Sequence, residues 1–194
     1  MHRKIRLICL LVLSLTPGAV ASTWGQHTQH KPGGYAGEER REIKSLSTDE
    51  IEQLLQGRGM GLAKAAELNH YPGPRHVLEL AAQLELTTAQ REATEAAFRR
   101  MQDEAVRLGR QIVERERALD AMFAKGEIDA LKLRAATAEI AGLQGNLRAA
   151  HLAAHLEMRR LLSPAQIKKY DELRGYAGAG QQTPNAHDHS HGKH

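Results

Sequence analysis

From residue 42 onward the apolar positions fall at helical spacing, and each run of them is opened by a recognisable start signal. Ser47-Thr48-Asp49-Glu50 has the form of a capping box and starts a short helix carrying Ile51, Leu54 and Leu55. Gly57-Arg58-Gly59-Met60-Gly61 interrupts it, and Leu62 to Leu68 resumes a helical pattern. Tyr71-Pro72-Gly73-Pro74 reads as a turn, with Pro74 suited to the first position of a helix running from His76 to Leu84. At Leu86-Thr87-Thr88-Ala89-Gln90, Thr87 can cap the backbone N–H of Gln90 while the Gln90 side chain reaches back to the Thr87 N–H. The helix that starts there carries Phe98, Met101, Ala105, Leu108, Ile112, Leu119 and Met122 at spacings of three and four, with one longer gap. It should stop near Lys125-Gly126, which makes it about 37 residues and roughly 55 Å long.

Ile128 is expected to open a second long helix, whose Leu133, Ala136, Ile140, Leu143, Leu147, Ala150 and Ala154 form a seam for antiparallel packing on the first. Leu162-Ser163-Pro164-Ala165-Gln166 repeats the earlier start: Ser at the N-cap, Pro next, Gln three residues on. The last helix holds Ile167, Tyr170 and Leu173 and ends at Arg174-Gly175. The pattern predicts an all-α fold, a long antiparallel helical hairpin with short flanking helices.

The two ends break the pattern. Arg3, Lys4 and Arg6 precede an apolar run from Leu7 to Leu15, a Thr16-Pro17-Gly18 break and the small residues Ala19-Val20-Ala21. This is a secretory signal layout with cleavage expected after Ala21, and the run is too short for an anchor. The expected organisation is a signal peptide (1–21), a Gly-rich disordered leader (22–41), short N-terminal helices (42–70), the main helical domain (71–176) and a disordered His-rich tail (177–194). The exported product is expected in a bacterial periplasm with no further membrane span. ATP is absent there, which turns the reading away from ATP-driven mechanisms.

Composition narrows the chemistry. One Trp, four Tyr and two Phe leave few platforms for stacking bases, and disfavour aromatic-rich β architectures. The formal net charge of +4 is mostly the signal peptide, since cleavage leaves 24 cations against 23 anions. Charges of both signs alternate on the first long helix, with Glu95–Arg99 and Asp103–Arg107 at i, i+4, so the face reads as solvated and nucleic acid is excluded as a partner. Cys9 leaves with the signal peptide, which rules out disulfides and thiolate chemistry. The glycines of 57–61 match no dinucleotide fingerprint, because no strand precedes them. No nucleophile motif occurs, and the carboxylates are read as exposed helix charges with nothing to desolvate them, so no enzyme is expected.

Histidine is where chemistry concentrates. His151 and His155 stand one turn apart on one side of the second long helix, and Met158 follows three residues later. Two such imidazoles can chelate Zn, Cu or Ni, and a thioether favours the softer ions. Leu152 follows His151 where a zinc-protease helix would carry Glu. Further ligands would come from His70, His76 or a second subunit. The tail adds His187, His189, His191 and His194 beside Asp188, a composition that binds the same metals with little selectivity, and His27 and His30 could assist from the other end.

Leu86, Thr87 and Gln90, then Leu162, Ser163 and Gln166, form two L-[ST]-x-x-Q motifs separated by a long helical hairpin in a chain with a signal peptide. With these motifs the chain resembles the Spy/CpxP family of periplasmic LTxxQ proteins, from about Pro72 to Tyr176. The resemblance also reaches relatives that respond to zinc or sense nickel and cobalt. It implies a four-helix, hairpin-based fold, commonly a homodimer, acting as an ATP-independent chaperone, an envelope-stress regulator or a metal sensor. The six motif residues are then architectural, setting helix starts. A chaperone of this type would hold unfolded or stressed envelope proteins weakly on apolar patches rimmed by Arg99, Arg100, Arg107 and Arg110. The alternative is a heavy-metal-binding sensor or resistance accessory protein, coupled to a membrane sensor protein and using the helix and tail histidines.

Overall fold

The computed structural model describes residues 34–176. The expected signal peptide with Cys9, the leader up to residue 33 with His27 and His30, and the tail with His187, His189, His191 and His194 lie outside the described residues. Six α-helices make up most of what is described: α1 (Thr48–Leu55), α2 (Lys64–Glu67), α3 (Pro74–Glu79), α4 (Thr88–Lys125), α5 (Ala130–Leu161) and α6 (Pro164–Arg174). There is no strand among the described residues. No helix there is long and apolar enough to cross a membrane.

The helix starts follow the local chemistry. Thr87, Ser163 and Ser47 each accept the N–H three residues on, and Gln90, Gln166 and Glu50 return a side-chain oxygen to the N-cap N–H. The α4 helix ends at Gly126, whose φ of 68° only glycine adopts without strain. The second long helix begins at Ala130 rather than Ile128. The Asp129 carboxylate accepts the N–H groups of Leu131 and Lys132, both at 2.9 Å, and so defines the N-cap. The expected helix over 76–84 is also shorter. Its regular part ends at Glu79, and turns lead through buried Ala81 and Leu84 to Glu85, which has a positive φ of 51°.

Packing of α4 against α5 is antiparallel. Arg100–Glu157 and Arg115–Glu139 bridge the two helices at 2.7 Å each, early residues of one meeting late residues of the other. Two hydrophobic clusters lie along this hairpin. At its open end Val77, Leu84, Ala97, Met158, Leu162, Ile167 and Tyr170 pack together. Further along, the N-terminal segment lays Ile43 and Leu54 over Ala105, Leu108, Ile112, Val113 and Leu147. The α1 helix arrives so closely that the Leu54 carbonyl rests on the Gly109 Cα, where any side chain would collide with it. Gly57, with φ 61°, presses against Ala105 and Val106 in the same way. The 57–69 segment therefore packs on the hairpin.

The buried face of α4 differs from the expected seam at its start. Thr94 and Ala97 face inward, and Phe98 and Met101 turn half-buried toward a groove. Small Ala97 lets the neighbouring helices come close, which the larger ring would prevent. On α5, Leu133 is exposed because no flanking helix covers the hairpin tip, where Phe123 and Leu131 are exposed too.

The two L-[ST]-x-x-Q motifs meet. Gln90 Nε2 donates to Gln166 Oε1 at 2.9 Å and Gln166 Nε2 donates to Gln90 Oε1 at 3.0 Å. Each amide's second N–H goes to a carbonyl just before the opposite motif, Leu161 for Gln90 and Leu84 for Gln166, both at 3.1 Å. Each amide oxygen also accepts its own N-cap N–H, so both glutamines use every donor and acceptor. The motifs set helix starts, as expected, and also clasp the α4 and α6 starts to each other.

Gly142 and Gly145 lie on the exposed side of α5, with open space where a Cβ would stand. Replacing either with Ala should therefore stabilise the protein by about 1 kcal/mol through helix propensity. Urea unfolding checks this, and a loss of stability would show that the face is covered in solution.

Candidate metal-binding groove

Glu67, on the single turn of α2, is the anchor of the site. Its Oε1 accepts from the Tyr170 hydroxyl at 2.5 Å and the Tyr176 hydroxyl at 3.2 Å, and lies 3.4 Å from Arg174 Nε. Burial, with the Glu67 contact second, holds the Tyr170 phenol far above its usual pKa, so it remains a donor. Glu67 Oε2 is buried without a hydrogen-bond partner and stands 3.6 Å from His155 Nδ1.

The chain positions His155 through its other contacts. Its Nδ1 donates to the Tyr71 carbonyl at 2.8 Å, so in the neutral ring the lone pair sits on Nε2. This is the tautomer that presents Nε2 to a metal. Gly73 makes room for the ring, since a Cβ there would lie 2.9 Å from Cε1 and 3.1 Å from Nε2. One turn earlier His151 is buried, and its Nε2 has no partner. Burial lowers its pKa, and the neighbouring His155 adds to the effect. The shift favours the neutral ring, which keeps one nitrogen lone pair for a ligand.

These three side chains border one groove of about 810 Å³, walled by the glycine-rich loop of 57–61 and by Met60, Phe98 and Met101. Among the described residues, no three His, Cys, Asp or Glu side chains stand close enough together to hold a metal ion as they are placed. What the groove offers is an open set of donors, two imidazole nitrogens and one carboxylate oxygen, two of them buried without a hydrogen bond.

The other sequence candidates fall elsewhere. Met158 is sealed in the open-end cluster and does not border the groove. His70 is tied to buried Asp171 at 2.8 Å, and His76, which does border the groove, is tied to Glu79 at 2.8 Å. The His76 hydrogen bond leads the causes that hold the Glu79 carboxyl below its usual pKa. Of the arginines, Arg99, Arg100 and Arg107 are paired with Glu95, Glu157 and Glu104, and Arg110 is exposed. The expectation that every carboxylate is an exposed helix charge fails at Glu67, largely buried against Arg174 of α6, and at Asp171 of α6, largely buried against His70. No local signal marked Glu67, because its partners lie far along the chain, from His155 onward, with Tyr170 at a separation of 103.

The fold and groove define an all-α hairpin protein with a histidine-bearing cleft beside two clasped helix starts. Heavy-metal resistance proteins match residues 56–169, so the chain belongs to the heavy-metal resistance family, part of the Spy/CpxP-like helical superfamily. No curated protein and no solved structure matches.

Proposed function

We propose that this protein binds a heavy-metal ion in the groove, as an exported resistance accessory or sensor of the periplasm. The observation that carries the reading is that two buried, unpartnered atoms, His151 Nε2 and Glu67 Oε2, border the same groove as His155, whose Nδ1–H is spent on the Tyr71 carbonyl and leaves Nε2 as its acceptor. Leaving such groups without a partner costs about 1–3 kcal/mol each, which a bound ion would offset. His151 and His155 would supply the imidazole ligands and Glu67 the carboxylate, a set suited to Zn(II), Cu(II) or Ni(II). There the Glu67 carboxylate would balance the charge of a bound ion and the imidazole lone pairs would coordinate it. Tyr170, Tyr176 and Arg174 hold the carboxylate from its other oxygen, the outer-shell support that tunes such sites.

Calorimetric titration of the chain from Ser22 with each of the three ions tests this. Affinity should fall about a hundredfold or more in His151→Ala/His155→Ala, since two ligands go together. It should survive truncation after Tyr176. Unchanged affinity in the double variant, with loss on truncation, would move metal binding to the tail and sink the groove reading.

A second reading, weak holding of unfolded envelope proteins, is favoured by the exposed apolar tip formed by Phe123, Leu131 and Leu133. It would show as suppressed client aggregation without ATP.

A further inference from the structure

The groove is larger and more cationic than an ion alone accounts for. Four cations border it, Arg58, Lys64, Arg75 and Arg174, against the single carboxylate of Glu67. Arg174 is engaged with Glu67, and Arg75 with Glu79 at 3.0 Å. Arg58 bonds only the Gln56 amide oxygen, at 2.9 Å, and neither it nor Lys64 has a carboxylate partner among the described residues. Both are exposed and so stand at the mouth. Such an excess at the mouth draws in an anion.

The walls add a second requirement. Met60 and Leu68 are exposed large apolar side chains, and both face the groove alongside half-buried Phe98 and Met101. A volume of about 810 Å³ lies within the range of small-molecule sites, in which apolar walls carry a few polar groups that fix orientation. Unpaired cations at the mouth over an apolar floor complement one chemical class: an anion with an apolar body.

We infer that the groove binds an amphipathic organic monocarboxylate. Its carboxylate lies against Arg58 and Lys64, and its hydrocarbon body covers Met60, Leu68, Phe98 and Met101. The site goes beyond the metal reading, because none of these six residues is among the proposed metal ligands and binding needs no ion. With an ion on His151 and His155, such an anion would roof it and exclude water.

The test uses the chain from Ser22 to His194 at pH 8 with EDTA, so that no metal is present and the tail histidines are neutral. Decanoate, decyltrimethylammonium and acetate are titrated by calorimetry, all below micelle formation. The expected result is saturable one-to-one binding of decanoate, at least tenfold tighter than either of the others. In Arg58→Gln/Lys64→Gln, decanoate should weaken at least tenfold while the circular dichroism spectrum and Tm stay unchanged, both positions being exposed. Three outcomes would overturn the inference: no saturable decanoate binding, equal affinity for the two decyl amphiphiles, or an unaffected double variant. None of these bears on the metal reading, which the metal titration decides without any organic anion.

Discussion

Gly109→Ala should destabilise the protein by about 1–3 kcal/mol and loosen residues 43–57, although it adds only one methyl group. The Cβ would overlap the Leu54 carbonyl oxygen and stand 2.6 Å from its carbon. Both are backbone atoms, so no rotamer change relieves the clash. Either α4 and α1 separate, with an overpacking cost of about 1–3 kcal/mol, or the segment lifts away. Lifting would expose Ile43, which is fully buried, and Leu54, each worth about 1.5–3 kcal/mol of burial. Urea unfolding measures the loss, and hydrogen exchange over 43–57 locates it. The same substitution at Gly142, on the other long helix, should act in the opposite direction because its Cβ meets nothing. A Gly109→Ala protein as stable and as protected as the parent would show that α1 does not dock as described. The consequence reaches the groove, since the loop that walls it is anchored by Gly57 on Ala105 and Val106. On the proposed metal reading, affinity should therefore fall although none of the proposed ligands is touched.

Gln166→Met carries the second large effect, an expected loss of about 2–4 kcal/mol. Methionine keeps the length of the side chain and removes every polar atom. The Leu84 carbonyl, the Ser163 N–H and the Gln90 amide then all lose a partner. Leu84 and Ile167 are buried beside them, so the freed groups are poorly placed to find water, and a buried unsatisfied group costs about 1–3 kcal/mol. For a domain of this size the melting temperature should drop by roughly 6–12 °C. Gln90→Met should behave similarly, and the double variant should cost clearly less than the two singles together, because the second change removes a partner already stranded by the first. Additive losses would mean that the two amides act only as separate helix caps.

That contrast between cap and clasp marks how far local reading reaches. Thr87 with Gln90, and Ser163 with Gln166, are legible because an N-cap hydrogen bond spans three residues and needs nothing else in the molecule. Their meeting across a separation of 76 residues is invisible locally, since it depends on the α4–α5 hairpin closing in one register. The start of α5 was misplaced for a smaller reason: Ile128 fits the apolar period, but the Asp129 carboxylate binds the first free N–H groups and decides the boundary. Phe98 and Met101 fit the seam by period too. Only the approach of the 57–69 segment turned them from core residues into groove walls.

By itself the sequence determined the all-α class, the two long helices, their capped starts and the pairing of His151 with His155 on one side of α5. All of these rest on hydrogen bonds and periodicities within about two turns of helix. Tertiary structure alone decided that Glu67 would be buried against Tyr170, Tyr176 and His155, that Met158 would belong to the core, and that Arg58 and Lys64 would face an apolar groove. Each of these depends on where the glycine-rich loop and the 71–74 turn lead a short helix back onto the hairpin. Nothing in the residues around Glu67 encodes partners a hundred positions away; packing against α5 and α6 does.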